Sequence, residues 1–106
     1  MARTVVIVNP GICGFDCKIS ARLSDTNSVR IDITESECAL IQKLAIQIHD
    51  VSLHDLYTPL TNNLIFKAVE QAGCHLACPV PVAIIKAAEA ALGLAIPKDA
   101  AICFVE

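Results

Sequence analysis

The sequence predicts a two-layer α+β domain, with a mainly antiparallel sheet of about four strands covered on one face by helices, in the order β-β-β-α-α-α-β. Two observations predict it. Apolar residues recur with a period of two through the first third of the chain and with helical spacing afterwards. The breaks between these patterns are filled by turn formers.

Thr4 to Val8 is a short apolar run rich in β-branched residues, which suits a buried strand. "NPGICG" ends it. From Phe15 to Leu23 the chain alternates: Phe15, Cys17, Ile19, Ala21 and Leu23 share one face, and Asp16, Lys18, Ser20 and Arg22 the other. "SDTNS" is a turn cluster, and Val29, Ile31 and Ile33 alternate on the way back, so the pair reads as a hairpin. "TESE" offers a capping box from Thr34 and Glu37. Cys38, Ile41, Ala45 and Ile48, widened by Leu40 and Leu44, mark the apolar stripe of the helix that follows.

"DVSLHDLYTPLT" reads as an irregular connection. A second helix is expected from about Asn62 to Ala72, closed by Gly73 in the left-handed conformation. A third runs from Pro79 to about Leu92-Gly93. "IPKD" then turns the chain into a last strand, Ala101 to Val105, expected beside the first. No linker or repeat interrupts residues 1–106, so one domain is expected.

Composition narrows the function. Hydrophobic residues are 55% and aromatics only 4%, so the core must be aliphatic. A mean hydropathy of +0.59 is high for a soluble monomer, and a homodimer that buries part of this surface is expected. A further protein partner is also compatible with it. Membrane insertion is not expected, because the best apolar stretch, Pro79 to Pro97, is broken by Lys86, Glu89 and Gly93. The first residues hold too short an apolar run for a secretion signal, so a cytoplasmic protein is expected. The eight basic residues are scattered and the net charge is −3, which argues against nucleic acid. The four glycines form no phosphate loop.

Six cysteines in 106 residues are the strongest signal. In a reducing compartment they point to metal binding or thiol chemistry rather than disulfides. "CPVP" places two prolines where a helix begins, with Cys78 at the expected cap position. Thiolates are stabilised at helix starts, so a lowered pKa is expected for Cys78. Cys38 is expected in the first turn of its helix, and Cys13 lies in a loop between Gly11 and Gly14. Cys74 and His75, just before the third helix, can reach the same place. Cys17 and Cys103 lie in strand patterns and are expected in the core. His49 and His54 are expected at the surface or as caps.

These residues support a zinc or iron–sulfur site with Cys13, Cys38 and Cys78 as ligands and Cys74 or His75 as the fourth. A structural zinc would contribute on the order of 10 kcal/mol to folding. The spacings Cys13-x3-Cys17 and Cys74-x3-Cys78 offer a rival four-cysteine set. Two other readings stay open. Cys78 is the nucleophile or carrier of a thiol protein with Cys13 or Cys38 as its resolving partner, or all six cysteines are packing in a dimeric interaction module.

Two resemblances add to this. "GICGF", Cys38 within "ESECALI", and "HLACPVPVAIIKAAEAALGLAIPKD" resemble a small uncharacterised family of anaerobic bacteria and methanogenic archaea, in which Cys13, Cys38 and Cys78 match the pattern. That resemblance implies a fold and a motif but no reaction. Locally, residues 78–105 are similar to the Cys-Pro-x-Pro start, helix and strand of TusA-like sulfur carriers, which implies that Cys78 would carry a persulfide. Those chains place the motif directly after their first strand, whereas here two expected helices precede it.

Overall fold

A computed structural model describes residues 3–106. β1 (Arg3–Val8), β2 (Cys17–Asp25), β3 (Ser28–Thr34) and β4 (Asp50–Ser52) form one antiparallel sheet in the order β1-β2-β3-β4. The strict alternation of β2 and β3 fixes the register, since a one-residue slip would turn every apolar side chain outward. Ile19 pairs with Ile33, Ala21 with Ile31 and Leu23 with Val29. The turn between them is held by the Asn27 amide donating to Asp25 Oδ1 at 2.9 Å.

Helices α1 (Ala39–Gln47), α3 (Leu64–Ala72) and α4 (Val80–Ala91) cover the inward face. Cys17, Ile19, Ala21, Val29 and Ile31 from the sheet are buried with Ile41, Leu44, Ile65, Val80 and Ile84 from the helices. As the composition requires, this core is aliphatic. α4 lies across β1 and β2, and its buried small residues Ala87 and Ala88 let the helix settle close to the sheet.

Two helix ends are closed as their glycines predict. Gly73 has φ +80, and the Cys74 amide reaches back to the Val69 carbonyl at 3.2 Å. Gly93 has φ +77, and the Leu94 amide reaches the Glu89 carbonyl at 2.9 Å. An alanine at Gly73 would meet no crowding but would have to hold that left-handed backbone.

Three expectations need correction. The capping box at Thr34 does not form, because Thr34 is still in β3, paired with Lys18. Glu35 then takes φ +57, its carboxylate 3.5 Å from the Lys18 ammonium. The chain so turned starts α1 only after Cys38, whose amide donates to Ser36 Oγ at 3.2 Å. Secondly, the connection after α1 is not irregular. It contains β4, the short helix α2 (Leu53–Leu56) and a 3-10 turn at Leu60–Asn62. The capping box lies here, between Ser52 and Asp55. Thirdly, Ala101 to Val105 pairs with none of the described residues, so β4, not a C-terminal strand, is the fourth strand. Residues 93–106 are all exposed, Cys103 among them, so Cys103 is not a core residue.

Candidate functional site

The end of β1, the start of β2 and the end of β3 lie together, because Val8 pairs with Cys17 and Lys18 with Thr34. The segments leaving this end of the sheet carry Cys13 and Cys38, and the turn between α3 and α4 carries Cys74 and Cys78. Gly11 and Gly14 both have positive φ, and the Gly14 amide donates to the Gly11 carbonyl at 2.9 Å. That tight turn presents Cys13 to solvent. Only glycine holds such backbone without strain, so the two glycines of "GICG" are explained by the turn.

Cys38 is the residue before α1, partly buried, at the helix N-terminus. A second turn, closed by the Cys78 amide on the His75 carbonyl at 3.1 Å, brings the chain into α4. Pro79 caps that helix, so Cys78 stands one residue before the cap instead of on it. The proline ring cannot donate, and the first free amide of the helix is that of Val80. It lies on the side of the Cys78 sulfur and acts to lower that thiol's pKa.

The thiols feel one another. Burial pushes the Cys17 thiol up to about 11, with the Cys78 thiolate, Asp16 and Cys38 adding to the rise. Cys74 is raised by burial, then by Cys78 and Cys38. Cys78 is raised chiefly by burial, against which the Val80 amide acts, and further by Cys13 and Cys38. The lowered pKa expected from the helix start is therefore corrected, because desolvation outweighs the single amide. The same relations place Cys13, Cys17, Cys38, Cys74 and Cys78 in one neighbourhood. No lysine or arginine figures among the groups that shift them.

Cys17 is buried, as its strand pattern predicts, yet it belongs to this neighbourhood. The spacing Cys13-x3-Cys17 was the signal for it. Cys103 lies in the exposed C-terminal segment and takes no part among these relations. His75 is exposed and lines a hollow of about 510 Å³ together with Phe66, Val69, Cys74, Cys78 and Pro81. On another side, Asp16, Glu35 and Glu37 line a hollow of about 230 Å³, so carboxylates stand near the sulfurs. Among the described residues, no three His, Cys, Asp or Glu side chains are gathered closely enough to hold a metal ion. As arranged, then, the donors do not form a closed metal site.

Burial of Cys17 gives a pH prediction. Its folded pKa is raised, so both folded and unfolded thiols are protonated below about 9, and stability is unaffected there. Above that, the unfolded thiol ionises first and stability falls until about pH 11. At about 1.4 kcal/mol per decade, the metal-free protein is expected to lose on the order of 2–3 kcal/mol from this group. Urea unfolding across that window measures it, and Cys17→Val is expected to flatten the slope relative to wild type.

No helix among the described residues is long and apolar enough to cross a membrane. No curated protein and no solved structure matches the chain. Residues 4–104, from β1 through both cysteine turns and into the exposed C-terminal segment, match one family, and the chain belongs to that family of unknown function, DUF6951.

Proposed function

We propose that the protein holds a soft metal, as zinc or an iron–sulfur cluster, through Cys13, Cys38 and Cys78, with Cys74 or His75 completing the set. The observation that carries this reading is a group of thiols from separate stretches of chain that lie near enough for each charge to oppose the ionisation of its neighbours. The raised Cys74 and Cys78 thiols hold their protons more firmly than a free cysteine until a cation binds and displaces them. Thiolate-rich donors select zinc or iron–sulfur over magnesium or calcium. Neighbouring Asp16 and Glu37 add negative potential that favours a cation, whereas Glu35 is engaged by Lys18.

The open arrangement is compatible with this, provided that the turn bearing Cys13 closes on binding. That turn is exposed, and a side-chain atom added at Gly11 or Gly14 would meet nothing within 4 Å. The bound metal supplies a positive centre that polarises or binds an electron-rich ligand. Cys13, Cys38 and Cys78 would hold and orient it, beside the open hollow lined by Phe66, Val69 and Pro81.

The test is purification without oxygen, followed by metal analysis and a visible spectrum on one sample. Zinc, or iron with sulfide, is expected to copurify with the wild type and to be lost in Cys38→Ser and Cys78→Ser. Metal-free wild type that takes up neither zinc nor iron would overturn the reading.

A second reading has one observation in its favour, the Val80 amide directed at Cys78 beside an open apolar hollow. It makes Cys78 a thiol or persulfide carrier docking a partner protein, as the TusA-like resemblance implies. It requires Cys78 to alkylate faster than free cysteine at neutral pH. The raised pKa predicts slower alkylation, and a rate below that of free cysteine would rule out the carrier.

A further inference from the structure

Among the described residues, the strand-like segment after α4 and the free edge of the sheet are both without strand partners, and they match each other. Ile102, Phe104 and Val105 are 91%, 96% and 90% exposed. "AAICFV" (residues 100–105) is apolar on both faces, the pattern of a strand covered from two sides, which water does not supply. It is set apart from α4 by the left-handed Gly93 and by Pro97, which keeps the intervening residues from continuing the helix.

β1 is the edge of the sheet, hydrogen-bonded on one side only, to β2. Its six residues, Arg3–Val8, hold no proline and a single charge, at their start. Val5 and Ile7 on its outer face are 41% and 70% exposed. Edges of this kind pair with any available strand unless charged, bulged or covered. β4, the opposite edge, is only three residues long and presents little to pair with. The free segment and β1 are equal in length, so one can satisfy the other along its whole run.

We infer that two copies of the chain associate by reciprocal exchange, each laying its residues 100–105 along the β1 edge of the other. The occupant of the edge is a second copy because the segment stands clear of its own domain: residues 93–106 are exposed throughout, and the protein measures 41 Å along its longest axis against 28 and 26 Å across. Exchange of an identical element closes both edges at once under twofold symmetry, whereas an unreciprocated addition would leave one edge open and grow filaments. The added strand extends the sheet and gives Ile102 and Phe104 neighbours along one face and Cys103 and Val105 neighbours along the other.

Light scattering on the full chain over a range of concentrations tests this, with hydrogen exchange on the same samples. The wild type is expected at twice the chain mass, with slowed exchange at residues 101–105 and in β1. Ile102→Asp with Phe104→Asp is expected to run at the single-chain mass with an unchanged circular dichroism spectrum, since both side chains lie outside the core. A wild type that stays monomeric, a dimer that survives the double substitution, or residues 101–105 exchanging as fast as a free peptide would each overturn the inference. Assemblies that grow beyond a dimer with concentration would also overturn reciprocal exchange.

Discussion

Zinc at a thousandfold excess over its dissociation constant is expected to raise the unfolding temperature by about 15–30 °C. The physical basis is linkage: a ligand bound by the folded state alone stabilises it by about 4 kcal/mol at that excess. For a domain of this size each kcal/mol moves the midpoint by about 4–8 °C. The folded state alone brings together the segments bearing Cys13, Cys38 and Cys78, since this needs β1, β2 and β3 paired and α4 packed on β1 and β2. Scanning calorimetry of oxygen-free protein, with and without zinc and then with a chelator, measures the shift and its reversal. Cys78→Ser is expected to abolish it. Cys103→Ser is expected to leave it intact, because Cys103 lies in the exposed segment. An unfolding temperature indifferent to zinc and to chelation would remove the metal from the account.

Asn63→Ala is expected to destabilise the protein by about 2–4 kcal/mol, a large effect for a residue outside the aliphatic core. Asn63 is the buried polar residue of the described chain, 5% exposed, and its amide ties three elements together. Its Oδ1 accepts the Ile65 amide at 2.9 Å and so caps α3. Its Nδ2 donates to the Asp55 carbonyl at 2.7 Å and to the Thr58 carbonyl at 3.3 Å, fastening α2 and the following turn to α3. Alanine removes the cap, worth about 1 kcal/mol, and leaves carbonyls without a donor at roughly 1–3 kcal/mol more. Urea unfolding reads this as a lower midpoint at unchanged slope. Asn63→Asp keeps the acceptor but has no donor for the carbonyls, so it is expected to fall well short of wild type. A loss below about 1 kcal/mol for the alanine variant would mean that water replaces the amide.

The parts of the fold that were readable in the sequence rest on local physics. Alternation from Phe15 to Leu23 and from Val29 to Ile33 marks the hairpin because a strand has a period of two. Gly73 and Gly93 mark helix ends because both take positive φ. What was not readable depended on partners distant in the chain. The three residues of β4 are too few for a pattern, and only pairing with β3 makes them a strand. Thr34 has a capping sequence, but the ladder with Lys18 claims it first. Ala101 to Val105 has the composition of a strand and no strand partner among the described residues.

The site divides in the same way. Helix starts and a glycine turn single out Cys13, Cys38 and Cys78 from sequence, because those positions expose backbone amides and constrain the chain. The direction of the Cys78 pKa is not legible, because it depends on how much water the neighbouring elements exclude. Cys17 shows the limit most clearly. Its strand pattern gives its burial correctly but says nothing of its being near Cys38 and Cys78, which arises when β2 meets the starts of α1 and α4.

Peptide-mapped alkylation of oxygen-free protein, with and without added zinc, asks most directly whether cysteines from distant stretches act as a unit. Zinc is expected to slow Cys13, Cys38 and Cys78 together while leaving the rate of Cys103 unchanged. Three rates that ignore zinc, or that change independently of one another, would contradict a shared site.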